Sequence, residues 1–244
     1  MPIRLHVEAL PGPGEMVALP EGAARHAQVR RVQPGDALHL FDGRGREHVA
    51  QVASMGRREV TVTIGPAVAT LPELPLAVTL AVGVPTNERM DTLVEKATEL
   101  GVAAIQPLWT ERTVLRLDGE RAERRRAHWQ AVAVAASEQS GRAVVPEVAR
   151  PAALNAWLAD VGEASATARW MLDFADDAVL PAQADLPLDT AGRLLSLSGP
   201  EGGLSAAERE SARRAGFQPV SLGPRVLRAD TAPLALLAWL GLRG

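Results

Sequence analysis

A change of grammar at the proline-punctuated segment "PAVATLPELPL" (66–76) constrains this chain more than any other feature. Before it, "RLHVEAL", "MVALP", "ALHLFDG", "EHVAQVAS" and "REVTVTIG" alternate apolar and polar residues. Period-two alternation turns one face of each strand to a core, and Pro34-Gly35 and Asp42-Gly43 supply turns between strands. One helical stretch, "EGAARHAQVRRV", interrupts them. Short strands at this spacing predict a small β-barrel over residues 1–70, with 66–76 as linker. Beyond the linker, strands and helices alternate. "LAVTLAVGV" is continuously apolar, as a strand buried on both faces requires. "NERMDTLVEKATELG" sets Met90, Leu93, Val94, Ala97 and Leu100 at helical spacing, with Gly101 as C-terminal cap. "VAAIQPLW" is the next strand, and "GERAERRRAHWQAVAVAASEQ" is a long helix with Trp129, Val132, Ala133 and Ala136 on one face. "RWMLDFA", "LLSLS" and "PVSLG" are further strands before a closing helix, "TAPLALLAWLGL". Residues 71–244 therefore read as an α/β domain on a mainly parallel sheet.

Composition removes several function classes. The chain has no cysteine, which excludes disulfides, thiolate metal sites and cysteine nucleophiles. The histidines are scattered and no cluster has metal-ligand spacing, so no metal is expected. No apolar run approaches the roughly 18–20 residues that span a bilayer, and "MPIRLHVEALPGPGE" does not read as a signal peptide. A soluble cytoplasmic protein without a membrane partner is expected. A net charge of −3 argues against broad electrostatic binding of nucleic acid. Lys96 is the only lysine, so nearly all positive charge is guanidinium. That is either compositional bias or a means of gripping phosphate bidentately.

Three loops carry the candidate chemistry. "LLSLSGPEGGLSAAE" runs from a strand through Gly199-Pro200-Glu201-Gly202-Gly203 into a helix. It lacks the Gly-Lys-Ser/Thr ending of a phosphate loop and the G-x-G-x-x-G spacing of a dinucleotide fingerprint. Ser205 and Glu208 form a capping box, which uses the helix's own donors and predicts a ligand held by the loop backbone rather than by phosphate. "SLGPRVLRADTA" repeats the strand-and-turn arrangement at Gly223-Pro224, beside Arg225 and Arg228. Two such loops at strand carboxyl ends make a ligand crevice. "ASEQSGRAVVPE" places Glu138, Gln139, Ser140 and Arg142 where the long helix stops at Gly141. There Arg142 either complements the helix dipole or faces the crevice.

Together, "KATELGVAAIQPLWTERT", "SEQSGRAVVPE", "LSGPEGGLSAAE" and "SLGPRVLRADTA" resemble the signature blocks of RsmE-type 16S ribosomal RNA uridine N3-methyltransferases, of the SPOUT class. "ARHAQVRRVQPGDALHLFDGRG" is similar to that family's N-terminal segment. The resemblance implies a PUA-like β-barrel (1–70) that docks RNA, then a SPOUT domain (71–244) with a C-terminal trefoil knot. It implies S-adenosylmethionine (SAM) as cofactor, the small ribosomal subunit as partner and a homodimer joined through the knotted domain. Leu197, Gly199, Pro200, Gly202, Gly203, Leu222, Gly223, Arg225 and Leu227 would line the cofactor site, with Glu201 and Arg142 bordering the target base. Departures are small: "RAD" stands where the family more often has Arg-Thr-Glu, and "GGLS" varies from "GGFS".

Methyl transfer to uridine N3 needs alignment and either removal of the imide proton or stabilisation of the resulting anion. Arg142 and Arg228 are the candidates for anion stabilisation, and Glu138 or Glu201 for proton removal. Arg25, His26, Arg30 and Arg31 are the candidates for RNA contact. Two other readings stay open: a ribosome assembly factor without catalysis, and a SPOUT enzyme acting on another RNA.

Overall fold

The alternating N-terminal stretches form β1 (Ile3–His6), β2 (Met16–Ala18), β3 (Ala37–Phe41), β4 (Glu47–Met55) and β5 (Val60–Ala67). The computed structural model describes residues 2–57, 59–86, 89–114, 116–161, 167–184, 186 and 192–243. It divides into two units, Met1–Glu73 with Val134–Val145, and Leu74–Ala133 with Pro146–Gly244. In the first unit the sheet order is β1-β3-β4-β5-β2. β1 runs parallel to β3, and the other pairs are antiparallel. Leu5, Leu38, Leu40, Val52, Val62 and Ile64 fill its core. Among the described residues no ladder joins β1 to β2. Helix α1 (Glu21–Val29) leaves β2 directly, packs on β1 and sends Ala23, Ala24 and Ala27 into the same core. This sheet is thus completed by a helix rather than by a fifth ladder.

Two buried carboxylates organise this unit. Asp42 accepts the amides of Arg44 and Arg46 at 2.8 and 3.1 Å, closing the β3–β4 turn. Glu47 receives Nε and Nη2 of Arg4 at 3.1 and 2.7 Å and meets His39 Nδ1 at 2.6 Å. Burial pushes the Glu47 carboxyl up, but Arg4 and His39 outweigh it and hold the group below the usual range. Arg4 also donates to the carbonyls of Ser137 (2.6 Å) and Arg142 (3.0 Å). These lie at the end of α3 (Gly119–Ser140), whose last turns belong to the first unit. A cation there meets carbonyls that the helix leaves unpaired.

The second unit contains β6 (Ala77–Gly83), α2 (Arg89–Glu99), β7 (Ala104–Trp109), β8 (Glu147–Val148), β9 (Ala152–Ala153), α4 (Leu154–Asp160), β10 (Thr167–Leu172), β11 (Arg193–Ser198), α5 (Ala206–Arg214), β12 (Gln218–Val220) and α6 (Thr231–Gly241). Its ladders are all parallel, in the order β12-β10-β11-β6-β7-β8, with β9 also on β7. Helices α4 and α5 pack together on one face, where Leu108, Leu154, Met171, Leu197, Ala212 and Phe217 form a core. Helix α6 packs on β11 and on α2. After β9 and α4 the chain crosses to β10 on the far side of β6, then fills the gap with β11, then steps over β10 to β12. Sequence pattern missed β8, β9 and α4, because two-residue strands and a two-turn helix carry too little period to register. No helix among the described residues is long and apolar enough to cross a membrane.

Candidate active site

In a parallel sheet the carboxyl ends of the strands face one way, and the loops there form the natural ligand crevice. In the second unit that crevice is a cavity of about 540 Å³, within the roughly 300–1,000 Å³ of small-molecule sites. It is lined by the segments after β10 (Leu172–Phe174), β11 (Ser198–Leu204) and β12 (Leu222, Val226–Ala229). Arg89 at the start of α2 and Arg112 after β7 complete the wall.

The glycine turn is shaped by close backbone approach. A Cβ on Gly199 would stand 2.6 Å from the Gly203 carbonyl carbon and 2.7 Å from Leu204 N, because the loop doubles back on itself. A Cβ on Gly83, at the end of β6, would stand 2.5 Å from Pro200 Cδ. The Gly203 amide donates to the Pro200 carbonyl at 2.8 Å, and Gly203 holds φ +68°. Gly203, not Gly202, is the residue of this turn in the left-handed region. At Gly202 a Cβ would meet only the flexible Arg112 side chain, at 3.2 Å, and Arg112 donates to the Gly202 carbonyl. The capping box at Ser205 forms as its spacing requires, with Glu208 receiving Ser205 N at 2.8 Å. Glu208 also receives Glu111 N at 2.8 Å, which ties the loop after β7 to α5.

Charge in the cavity comes from Arg89, Arg112, Arg209 and Arg228 against Glu201 and Asp173. Glu201 accepts from Thr86 N (3.0 Å) and Thr86 Oγ1 (2.7 Å), with Arg89 Nη1 at 3.5 Å. Burial raises the Glu201 carboxyl, but the Thr86 hydrogen bonds and the Arg89 charge outweigh it and place the group below its ordinary range. At neutral pH it is therefore an ionised hydrogen-bond acceptor. The Arg228 carbonyl receives Thr231 N and Ala232 N at 3.0 and 3.1 Å, fastening its loop to the first turn of α6. Two buried acceptors lining the cavity, Ser198 Oγ and Asp173 Oδ2, take no hydrogen bond from the described residues.

Of the residues singled out in sequence, Gly199, Pro200, Glu201, Gly202, Gly203, Leu222, Leu227 and Arg228 line this cavity. Leu197 is fully buried in the α4/α5 core. Gly223 and Arg225 belong to the second loop but are not part of the lining. Arg142 and Glu138 belong to the first unit. Arg142 is buried and paired with Glu73 through Nε at 3.2 Å and through Nη2. Glu138 receives His6 N at 3.0 Å and faces His26 Nδ1 at 3.0 Å, so two sequence candidates meet each other. Arg25, Arg30 and Arg31 are exposed in the first unit, on α1 and at its end. Sequence reading missed Arg89, Arg112, Asp173 and Arg209. Asp173 was detectable, since a polar residue ends the apolar strand "RWML" on the side where parallel sheets bind ligands.

Residues 72–241 match the RNA methyltransferase domain family and residues 19–65 the RNA methyltransferase PUA domain. A ribosomal RNA small subunit methyltransferase E from Neisseria gonorrhoeae, solved bound to S-adenosyl methionine, is 37% identical with a TM-score of 0.91 over 98% of this chain and 96% of that one. A Legionella pneumophila protein solved with SAM is 32% identical with a TM-score of 0.91, covering 100% and 98% of the two chains. The ribosomal RNA small subunit methyltransferase E of Mycobacterium bovis is 32% identical over 97% of this chain and 90% of that protein. The fold is a mainly parallel α/β RNA methyltransferase domain preceded by a PUA domain, and the chain belongs to the ribosomal RNA small subunit methyltransferase E family.

Proposed function

We propose that the chain transfers the methyl group of SAM to N3 of a uridine in 16S ribosomal RNA of the small subunit. The observation that carries this reading is the cavity at the ends of β10, β11 and β12. The residues present fit the cofactor: the volume is adequate, Gly199 and Gly203 bring backbone to the wall, and two buried acceptors await donors. When bound, SAM supplies an electrophilic methyl on a sulfonium. The chain's own residues then orient the partners and manage charge. The Arg89, Arg112 and Arg228 guanidiniums at the cavity suit a polyanionic RNA strand. Arg228 stabilises negative charge developing on the uracil oxygens. Glu201, ionised and held by Thr86, fixes the glycine loop. Leu197 supports the glycine loop from the buried end of β11.

A second copy of the chain is proposed as partner through the C-terminal region. Helix α6 is apolar on nearly every side, yet Leu234, Ala238 and Trp239 stay only half-buried. Light scattering on the purified chain is expected to give twice the chain mass, and a monomer at micromolar concentration would refute it.

The decisive experiment maps modified nucleotides in 16S ribosomal RNA from a strain lacking this gene. One N3-methyluridine is expected to vanish and to return with the wild-type gene but not with Arg228→Ala. In single turnover Arg228→Ala is expected to slow methylation by roughly 100-fold. An unaltered modification map sinks the reading.

A further inference from the structure

Asp173 follows β10, at the centre of the cavity between the two loops that end β11 and β12. Its side chain is 13% exposed. Oδ1 accepts Phe174 N at 2.8 Å and faces Arg209 Nη1 at 3.6 Å. Oδ2 is shut off from solvent and accepts nothing from the described residues. A desolvated carboxylate oxygen without a donor is unfavourable until one reaches it. The other acid of the cavity, Glu201, is already engaged by Thr86 and Arg89. Asp173 is therefore the acceptor in this wall with capacity for a ligand cation.

We propose that Asp173 and Arg209 grip the amino-acid end of the cofactor, the Asp173 carboxylate accepting from its α-ammonium and Arg209 donating to its α-carboxylate. The inference rests on the cofactor reading above. Three features favour it. An ammonium entering a cavity with four guanidiniums needs an anionic partner, and Asp173 is the one with an oxygen to spare. At 3.6 Å, Asp173 and Arg209 attract as charges without a hydrogen bond. The two therefore present adjacent opposite charges, complementary to a zwitterion. A carboxylate–ammonium bond and a guanidinium–carboxylate bond are both charge-assisted, the strong class.

Calorimetry on the full chain with S-adenosylhomocysteine and with methylthioadenosine, which lacks the amino-acid moiety, tests this. Wild type is expected to bind both. Asp173→Asn is expected to weaken S-adenosylhomocysteine by about 10- to 100-fold and to leave methylthioadenosine within about twofold. Retained methylthioadenosine binding shows that the variant is folded. Arg209→Gln is expected to follow the same pattern and carries the test should Asp173→Asn fail to fold. Equal weakening of both ligands puts Asp173 on the nucleoside and overturns the proposal. Unchanged affinity for S-adenosylhomocysteine removes Asp173 from the site. A wild-type chain that binds neither overturns the cofactor reading itself, and this inference with it.

Discussion

Gly199 and Gly202 sit three residues apart in one turn, yet their surroundings differ in kind. Around Gly199 the Cβ position is occupied by backbone, which cannot move without opening the turn. Around Gly202 it is bordered by the Arg112 stem, which can swing aside. The usual argument for glycine, a positive φ, applies at Gly203 and not at Gly202. Gly199→Ala is therefore expected to weaken SAM binding by roughly 10- to 100-fold, from about 1–3 kcal/mol of overpacking. Gly202→Ala is expected to change it by less than about threefold. Calorimetric affinities alongside melting temperatures check this, and an equal loss at the two positions would refute the geometric account. Sequence alone marks all three glycines as special, but it cannot show which is short of space, since the clashing atoms come from the returning loop.

The last turn of α3 shows the same limit for an element. The periodicity of Trp129, Ala133 and Ala136 and the stop at Gly141 are legible in the sequence, and all three side chains are buried. The environment of the turn is not legible, because Arg4 and His6, which bond to it, lie far away in the chain. Arg142 was open to a dipole role or a crevice role. In the structure it is buried against Glu73, and its carbonyl is held by Arg4. Arg142→Ala is therefore expected to lower stability by about 1–3 kcal/mol, leaving part-buried Glu73 without this guanidinium. Single-turnover methylation at saturating SAM and RNA is expected to stay within a few fold of wild type. A large rate loss with an unchanged melting temperature would return Arg142 to the chemistry. By contrast, the capping box of α5 was fully readable, since Ser205 and Glu208 need only each other and three residues of spacing.

For the whole molecule, net charge is a poor guide and its distribution a better one. The chain is slightly acidic, yet Arg25, Arg30 and Arg31 stand exposed together on α1 and just beyond it. Exposed guanidiniums of this kind reach phosphates, and each contact releases counterions. Replacing all three with alanine is expected to weaken RNA binding and to flatten its salt dependence by roughly two to three contacts. SAM affinity is expected to be preserved. Unaltered affinity and salt slope would show that this face does not dock RNA. His26 has the Glu138 carboxylate as a near partner, so it is left out of the substitution set.

The chain order of the longer strands and helices, the change of grammar between the two halves, the capping box and both glycine loops were determined by the sequence itself. Each of these depends on residues within a few positions of one another, where period, turn chemistry and caps act. Tertiary structure alone decided the slot that β11 takes between β10 and β6, the closing of the N-terminal sheet by α1, and the partners of Arg142 and Glu138. It alone placed Asp173, Arg209, Arg112 and Arg89 around one cavity. Those outcomes depend on contacts between residues distant in the chain, and a local pattern carries no information about which distant residue will fill the space beside it.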